Sequence, residues 1–172
     1  MEFEWQDLQL GETSGPHVID GIEQIGQASL LLAQQTSRVL LIRANTLRQQ
    51  IYERPAFVEA VKQLAIRNSR TKIRILVSDI EPIKKNGHRL VELTQRLSSS
   101  IEIRVGAKDW AGDTRSFMLA DECGYVLRPR WFDLHGCTVD FNNRYEAKKL
   151  GEFFQEVWDQ SQADSNLRQL SL

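Results

Sequence analysis

Two periodicities alternate along the chain. From Val18 the apolar positions Ile22, Ile25, Leu30 and Ala33, with the small residues Gly26 and Ser29, follow helical spacing and predict a helix to about Ser37. Val39-Leu40-Leu41-Ile42 is a continuous apolar run, as expected of a strand covered on both faces. Asn45 or Thr46 then caps a short helical turn through Tyr52. Pro55 opens a further helix whose buried stripe is Phe57, Val58, Val61, Leu64 and Ala65, ended by Asn68 to Arg70. Within Thr71 to Asp79, Ile73, Ile75 and Val77 alternate with Lys72, Arg74, Leu76 and Ser78, a strand pattern. Pro82 to Ser98 reads as a loop and then a helix with Leu90, Leu93, Thr94 and Leu97 inward. Ile101, Ile103 and Val105, set against Glu102 and Arg104, predict a third strand.

The stretch Thr114 to Leu127 predicts a hairpin. Arg115, Phe117 and Leu119 point one way, and Ser116, Met118 and Ala120 the other. Asp121 to Gly124 is turn chemistry, with Gly124 available for positive φ, and Tyr125, Val126 and Leu127 form the return strand. After a loop from Arg128 to Gly136, Cys137 to Phe141 is a last strand. The closing helix, Glu146 to Trp158, aligns Ala147, Leu150, Gly151, Phe154, Val157 and Trp158. Strand, helix, strand, helix, strand at these separations predicts an α/β fold: a mixed, largely parallel sheet flanked by helices on both faces, with the hairpin adding edge strands. The expected organisation is an irregular arm over residues 1–16, one domain over 17–160, and a polar tail over 161–172.

Composition narrows the function classes. With 172 residues, 41% hydrophobic and 26% charged, the chain can build one domain with a real core. A net charge of -1 gives no general attraction to nucleic acid or anionic membrane, so any anion site must be a local cluster. No apolar run is long enough to span a bilayer. The two cysteines, Cys123 and Cys137, form no Cys-x-x-Cys pair, and Met1-Glu2-Phe3-Glu4 is no secretory signal, so a cytoplasmic, reducing setting is expected.

No Gly-x-Gly-x-x-Gly or Gly-Lys-Ser/Thr loop follows any strand and no Gly-x-Ser-x-Gly elbow occurs, so neither a nucleotide cofactor nor α/β-hydrolase chemistry is expected. No cofactor is assigned. His135 and Cys137, with Cys123, Asp133 or His88, lack a second ligand pair at zinc-site spacing, and no metal is assigned. A Cys137 nucleophile has no visible oxyanion hole. His88, in Asn86-Gly87-His88-Arg89, stands at an expected helix start, where it is either a surface or capping histidine or, with Arg89, part of an anion site. Arg115, Arg128 and Arg130 are expected to converge near the hairpin as a phosphate-sized cluster, against the alternative of a solvated, salt-bridged edge.

The element order, the strands Ile73 to Val77 and Ile101 to Val105, the hairpin, and the final helix with Phe154 and Trp158 resemble one repeat of the phospholipase D superfamily over roughly residues 20 to 160. In that family the corresponding strand carries His-x-Lys, four residues and Asp: the histidine attacks phosphorus, the lysine holds the phosphate, and two such motifs meet across a two-fold axis. With Asp121 as the aspartate, Thr114 stands in place of the histidine and Ser116 in place of the lysine. Threonine without a base is a weak nucleophile, and serine brings no charge to a phosphorane-like transition state. Asp121 itself is equally well explained as a turn residue. Gly87-His88-Arg89-Leu90 and Phe117 to Asp121 also resemble a bacterial branch of the superfamily whose domain occurs alone or beside an acetyltransferase; no acetyl-CoA motif is present here.

The resemblance implies a catalytically inactive domain acting as a binding or regulatory module, forming a homodimer and favouring a phosphate-bearing or other anionic ligand held by His88, Arg89, Arg115, Arg128 and Arg130 around Thr114, Ser116 and Asp121. One alternative is a divergent phosphodiesterase or nuclease using His88 or His135 as nucleophile, which requires a histidine and a cation beside Asp121. The other is a structural protein-interaction domain, whose partner the sequence does not name.

Overall fold

The computed structural model describes residues 4–106, 110 and 112–161. Seven strands form one sheet: β1 (His17–Ile19), β2 (Val39–Ala44), β3 (Lys72–Val77), β4 (Ile101–Val105), β5 (Ser116–Ala120), β6 (Gly124–Arg128) and β7 (Cys137–Asp140), in the spatial order β1-β7-β6-β5-β2-β3-β4. The helices are α1 (Ile22–Gln35), α2 (Gln49–Tyr52), α3 (Pro55–Arg67), α4 (Glu81–Asn86), α5 (Arg89–Arg96) and α6 (Arg144–Gln160). A single 3-10 turn, Trp5–Asp7, lies in the N-terminal arm. The expected tail falls outside the described residues from 162 onward.

The fold is α/β and the sheet mixed, with helices on both faces. Its parallel part is confined to β2, β3 and β4, where each connection contains helices. The other four pairings are antiparallel, which tips the balance away from a largely parallel sheet. The hairpin is not an edge. β5 pairs with β2 and β6 and occupies the middle of the sheet, and all five of its residues are buried. A Ser-Phe-Met-Leu-Ala strand has apolar side chains for both faces, so it belongs where both are covered. The edges are β4, which turns Glu102 outward, and β1.

β1 contradicts the helical reading of Val18. His17 to Ile19 pair with β7, and α1 starts only at Ile22. Three residues are too few for a period-2 pattern, and Val18 is left 70% exposed on this edge. The segment expected to be a loop before α5 forms α4, separated from α5 by Gly87 at φ 72.

Side-chain alternation sorts the core into two layers. Leu40, Ile42, Ile73, Ile75, Met118 and Val126 meet α1, α2, α3 and α5 through Leu32, Ile51, Phe57, Val61 and Leu90. Leu76, Phe117, Leu119 and Tyr125 meet α6 through Ala147, Leu150, Phe154, Val157 and Trp158. On the α6 side two aromatic rings are covered by guanidinium groups: Arg43 and Arg115 lie 5.0 and 4.3 Å from the centre of Phe153, and Arg74 and Arg104 lie 5.1 and 4.3 Å from that of Trp158.

The hairpin turn uses its residues differently from expectation. Asp121 (φ 48) and Glu122 (φ 60) take the left-handed conformations. Gly124 is instead required by close approach: a Cβ there would lie 2.4 Å from Leu10 Cδ1 and 3.3 Å from the Phe141 carbonyl oxygen. Gly124→Ala is therefore expected to cost about 1–3 kcal/mol by displacing the arm that covers it. Urea denaturation, showing a lower midpoint at unchanged slope, checks this.

Candidate functional site

The C-terminal end of β2 and the start of β5 meet at one end of the sheet, because the two strands run antiparallel with Arg43 opposite Phe117. Two polar clusters form there, one on each face.

On the α6 face, Arg43 is only 4% exposed. Its Nη1 donates to Asp113 Oδ1 at 3.1 Å and to the Arg115 carbonyl, and its Nη2 donates to the Asp113 carbonyl at 3.2 Å. Arg115 grips the same carboxylate, Nη2 to Oδ2 at 2.8 Å. Burial alone would raise the Asp113 pKa, but the hydrogen bonds from Arg115 and the charges of Arg115 and Arg43 hold it below the usual carboxylate range. Burial lowers the Arg43 pKa and Asp113 opposes that. The result is a charged, fully engaged triad.

On the opposite face, Ser116 is 1% and Arg128 4% exposed. Ser116 Oγ donates to the Arg43 carbonyl and accepts from Arg128 Nη2, both at 3.0 Å. Arg128 Nη1 donates to the Trp131 carbonyl at 3.1 Å. Among the described residues Arg128 has no carboxylate partner. Burial lowers the Arg48 pKa and the nearby Arg128 charge lowers it further; Arg48 likewise has no ion pair among the described residues. Two guanidinium groups thus share this rim without a carboxylate partner among the described residues. Beside Arg48 lies a cleft of about 180 Å³ bounded by Thr46, Leu47, Pro82, Ile83 and His88.

Strand alternation separates the arginines expected to converge. Arg115 and Ser116, adjacent in sequence, face opposite sides, so Arg115 joins Asp113 while Arg128 joins Ser116. Arg130 is exposed in the following loop, 3.5 Å from Asp133. Thr114 Oγ1 donates to the Pro129 carbonyl at 2.9 Å. Arg89 is exposed at the start of α5, its backbone N–H bonded to Glu53.

Asp121 lies at the other end of the sheet. Its Oδ2 accepts from the Ser37 N–H at 2.8 Å and the Ser37 hydroxyl at 3.0 Å, and its Oδ1 from the N–H groups of Arg38 and Val39 at 2.8 and 2.9 Å. The carboxylate clamps the start of β2. A six-residue strand, about 20 Å long, separates it from the cluster at Ser116.

His88 is buried, not a surface residue. It caps α5: Nδ1 accepts the Leu90 N–H at 3.1 Å, and Nε2 lies 3.1 Å from the Leu47 carbonyl, which assigns the proton to Nε2. Both nitrogens are engaged, and burial lowers the pKa against the opposing charge of Glu53. His135 is exposed, 3.7 Å from Asp20, in the β6–β7 loop. Both histidines sit at the end of the sheet away from Asp121, so the histidine-plus-cation arrangement beside Asp121 does not form among the described residues. Burial pushes the Cys137 thiol up to about 11 although Arg128 opposes it, which keeps it protonated at neutral pH. Cys123 and Cys137 lie at opposite ends of the sheet, and no metal-binding group of three or more His, Cys, Asp or Glu residues occurs among the described residues.

Arg43, Asp113 and Arg48 were missed from the sequence. Arg43 carried a readable signal: an arginine inside an otherwise apolar central strand must be paired or solvated at its tip.

The fold defines a class. The structure resembles the phospholipase D family member Nuc from Salmonella typhimurium, with 14% identity, TM-score 0.61, and 87% of this chain matched to 99% of that one. It also resembles NucT from Helicobacter pylori, with 10% identity, TM-score 0.62, and 88% of this chain matched to 98% of that one. The archaeal chromatin protein TrmBL2, whose structure shows a novel mode of DNA binding, matches over 87% of this chain with 14% identity and TM-score 0.63; this chain spans 54% of its length. The protein is thus an α/β domain of the phospholipase D-like fold. Within that class, residues 21–170 match the family described as Domain of unknown function (DUF7931), and the chain belongs to it. No curated protein matches the sequence. Among the described residues no helix is long and apolar enough to cross a membrane.

Two predictions test the structural roles. Asp121→Ala is expected to cost about 2–4 kcal/mol by leaving the Ser37, Arg38 and Val39 donors without their acceptor, read by urea denaturation. His88 has a folded pKa below its usual 6.5, so its contribution to stability is present above pH 6.5 and lost as pH falls through the lowered value. His88→Asn, which keeps a capping side chain, should flatten this acid limb of the stability–pH profile.

Proposed function

We propose that this domain is a catalytically inactive phospholipase D-like binding module whose ligand carries a phosphate or a similar anion. The observation that carries the reading is the Ser116–Arg128 pair. Where the superfamily places a histidine and a lysine, this chain has Thr114 and Ser116, both hydroxyls bonded to main-chain carbonyls. Neither hydroxyl has a general base beside it among the described residues, which supports the inactive reading. A cation is nonetheless supplied from the neighbouring strand: Arg128 reaches Ser116 and, with Arg48, leaves positive charge that no carboxylate among the described residues pairs with. Arg48, partly exposed, offers the planar guanidinium that suits a bidentate phosphate oxygen pair, and the buried Arg128 adds its charge from beneath. The relation to TrmBL2, a chromatin protein, supports a binding role for this fold.

Self-association belongs to the same proposal, through the rim of the β6–β7 loop. Trp131 and Phe132 are 37% and 55% exposed there, next to Arg128 and Arg130. Sedimentation at increasing concentration is expected to show a dimer that Phe132→Ser weakens; a monomer throughout would remove this part of the reading.

The chemical test is hydrolysis of bis-p-nitrophenyl phosphate with binding of inorganic pyrophosphate by calorimetry. The expected result is no turnover above that of Ser116→Ala, with pyrophosphate binding weakened about tenfold or more in Arg48→Gln and Arg128→Gln. Turnover abolished by His88→Asn or His135→Ala would establish the phosphodiesterase alternative. Pyrophosphate binding that ignores both arginine variants would remove the anion site.

A further inference from the structure

A second concavity lies at the other end of the sheet, between α6 and the first halves of β2 and β3. It encloses about 630 Å³, within the range of small-molecule sites, over an aliphatic floor of Val39, Leu41, Leu119 and Ala147. Three of its lining residues break local rules of helix or turn chemistry, each without a compensating contact among the described residues.

Arg144 is the first residue of α6 after the cap Asn143, where the positive end of the helix dipole disfavours a cation. It has no ion pair among the described residues. Gly151 interrupts the middle of α6, although an alanine Cβ there would meet Leu119 Cδ2 at 3.4 Å, an ordinary contact. Packing does not demand a glycine, so its effect is to leave the groove deeper where a side chain would narrow it. Glu122 holds φ 60, a conformation that favours glycine or asparagine. Its neighbour Asp121 is held in the same region by four hydrogen bonds, whereas Glu122 is exposed and none is formed by its side chain among the described residues.

Locally disfavoured choices that gather around one cavity mark a site selected for something other than stability. Lys72, at the first position of β3, adds a second rim cation with no ion pair among the described residues, while Lys148 and Glu152 pair with each other at 3.9 Å. Arg74 is already occupied by Gln155 and the Trp158 ring.

We propose that this groove binds a small organic anion with an apolar body. The body rests on Val39, Leu41 and Leu119 over Gly151, and the anionic group is held between Arg144 and Lys72, with Glu122 at the mouth rejecting a second negative charge. The site is independent of the Ser116–Arg128 rim, and either proposal can fail alone.

The probes are 8-anilinonaphthalene-1-sulfonate and its uncharged relative N-phenyl-1-naphthylamine, titrated into the full chain with fluorescence and thermal melting recorded together. The sulfonate is expected to bind saturably at one site, about tenfold tighter than the uncharged probe, and to lose about tenfold in affinity in Arg144→Glu and Lys72→Glu. Arg144→Glu places an acid at a helix N-terminus and should melt no lower than wild type, so weaker binding cannot be ascribed to unfolding. Gly151→Ala should raise the melting temperature, and Gly151→Leu should block the groove to both probes. Equal affinity for the two probes, or wild-type affinity in the charge reversals, would overturn recognition of the anion. Unchanged binding in Gly151→Leu, or a change in sedimentation with no change in probe binding, would overturn the groove as a small-ligand site.

Discussion

The Asp121 carboxylate joins the two halves of the sheet. β2 to β4 form a parallel unit built through helical connections, and β5 to β7 form an antiparallel meander. They meet only where β5 lies beside β2. Asp121 accepts hydrogen bonds from the Ser37, Arg38 and Val39 backbone at that seam and so fixes where β5 starts and ends against β2. Register matters because side chains alternate: a one-residue slip would exchange Phe117 and Leu119 with Ser116 and Met118 between the two core layers. With the register held, Ser116 reaches Arg128 on one face while Arg43 reaches Asp113 on the other.

Both polar clusters then follow from burial. A guanidinium taken out of water must be bonded at nearly every donor it hides, and removing one partner of such a pair costs more than the pair contributes. Arg43 satisfies this with a carboxylate and two carbonyls. Arg128 satisfies it with a hydroxyl and a carbonyl, with no carboxylate partner among the described residues. The difference between an arginine paired with a carboxylate and one bonded only to neutral groups separates the two sides of the same strand end, and the proposed phosphate site lies on the α1 face.

The α6 face is built by a different device. A single helix covers it, so the sheet beyond α6 is screened by long polar side chains whose stems and guanidinium planes lie on aromatic rings. Arg74 and Arg104 cover Trp158 from the sheet side, and Arg43 and Arg115 cover Phe153. Where that screening ends, near the start of β2 and β3, the groove opens. The two candidate sites occupy opposite ends of β2 and share no residue.

Much of this was legible in the linear pattern. The helical stripe of α3, the alternation of Ile73, Ile75 and Val77, the hairpin around Asp121 and the stripe from Ala147 to Trp158 all appear in the structure, because period 3.6 and period 2 are properties of local backbone geometry. Other features were not. The hairpin was assigned to an edge but lies at the centre, since strand order depends on which faces other elements cover. β1 is too short to carry a pattern. Arg115, Arg128 and Arg130 look alike in sequence, yet one binds Asp113, one binds Ser116 and one stays at the surface. The sequence by itself determined the elements and the chemical groups available to them. Only the tertiary structure decided which groups meet, because contacts such as Ser37 to Asp121, Ser116 to Arg43 and Arg104 to Trp158 join residues whose separation along the chain carries no periodic signal.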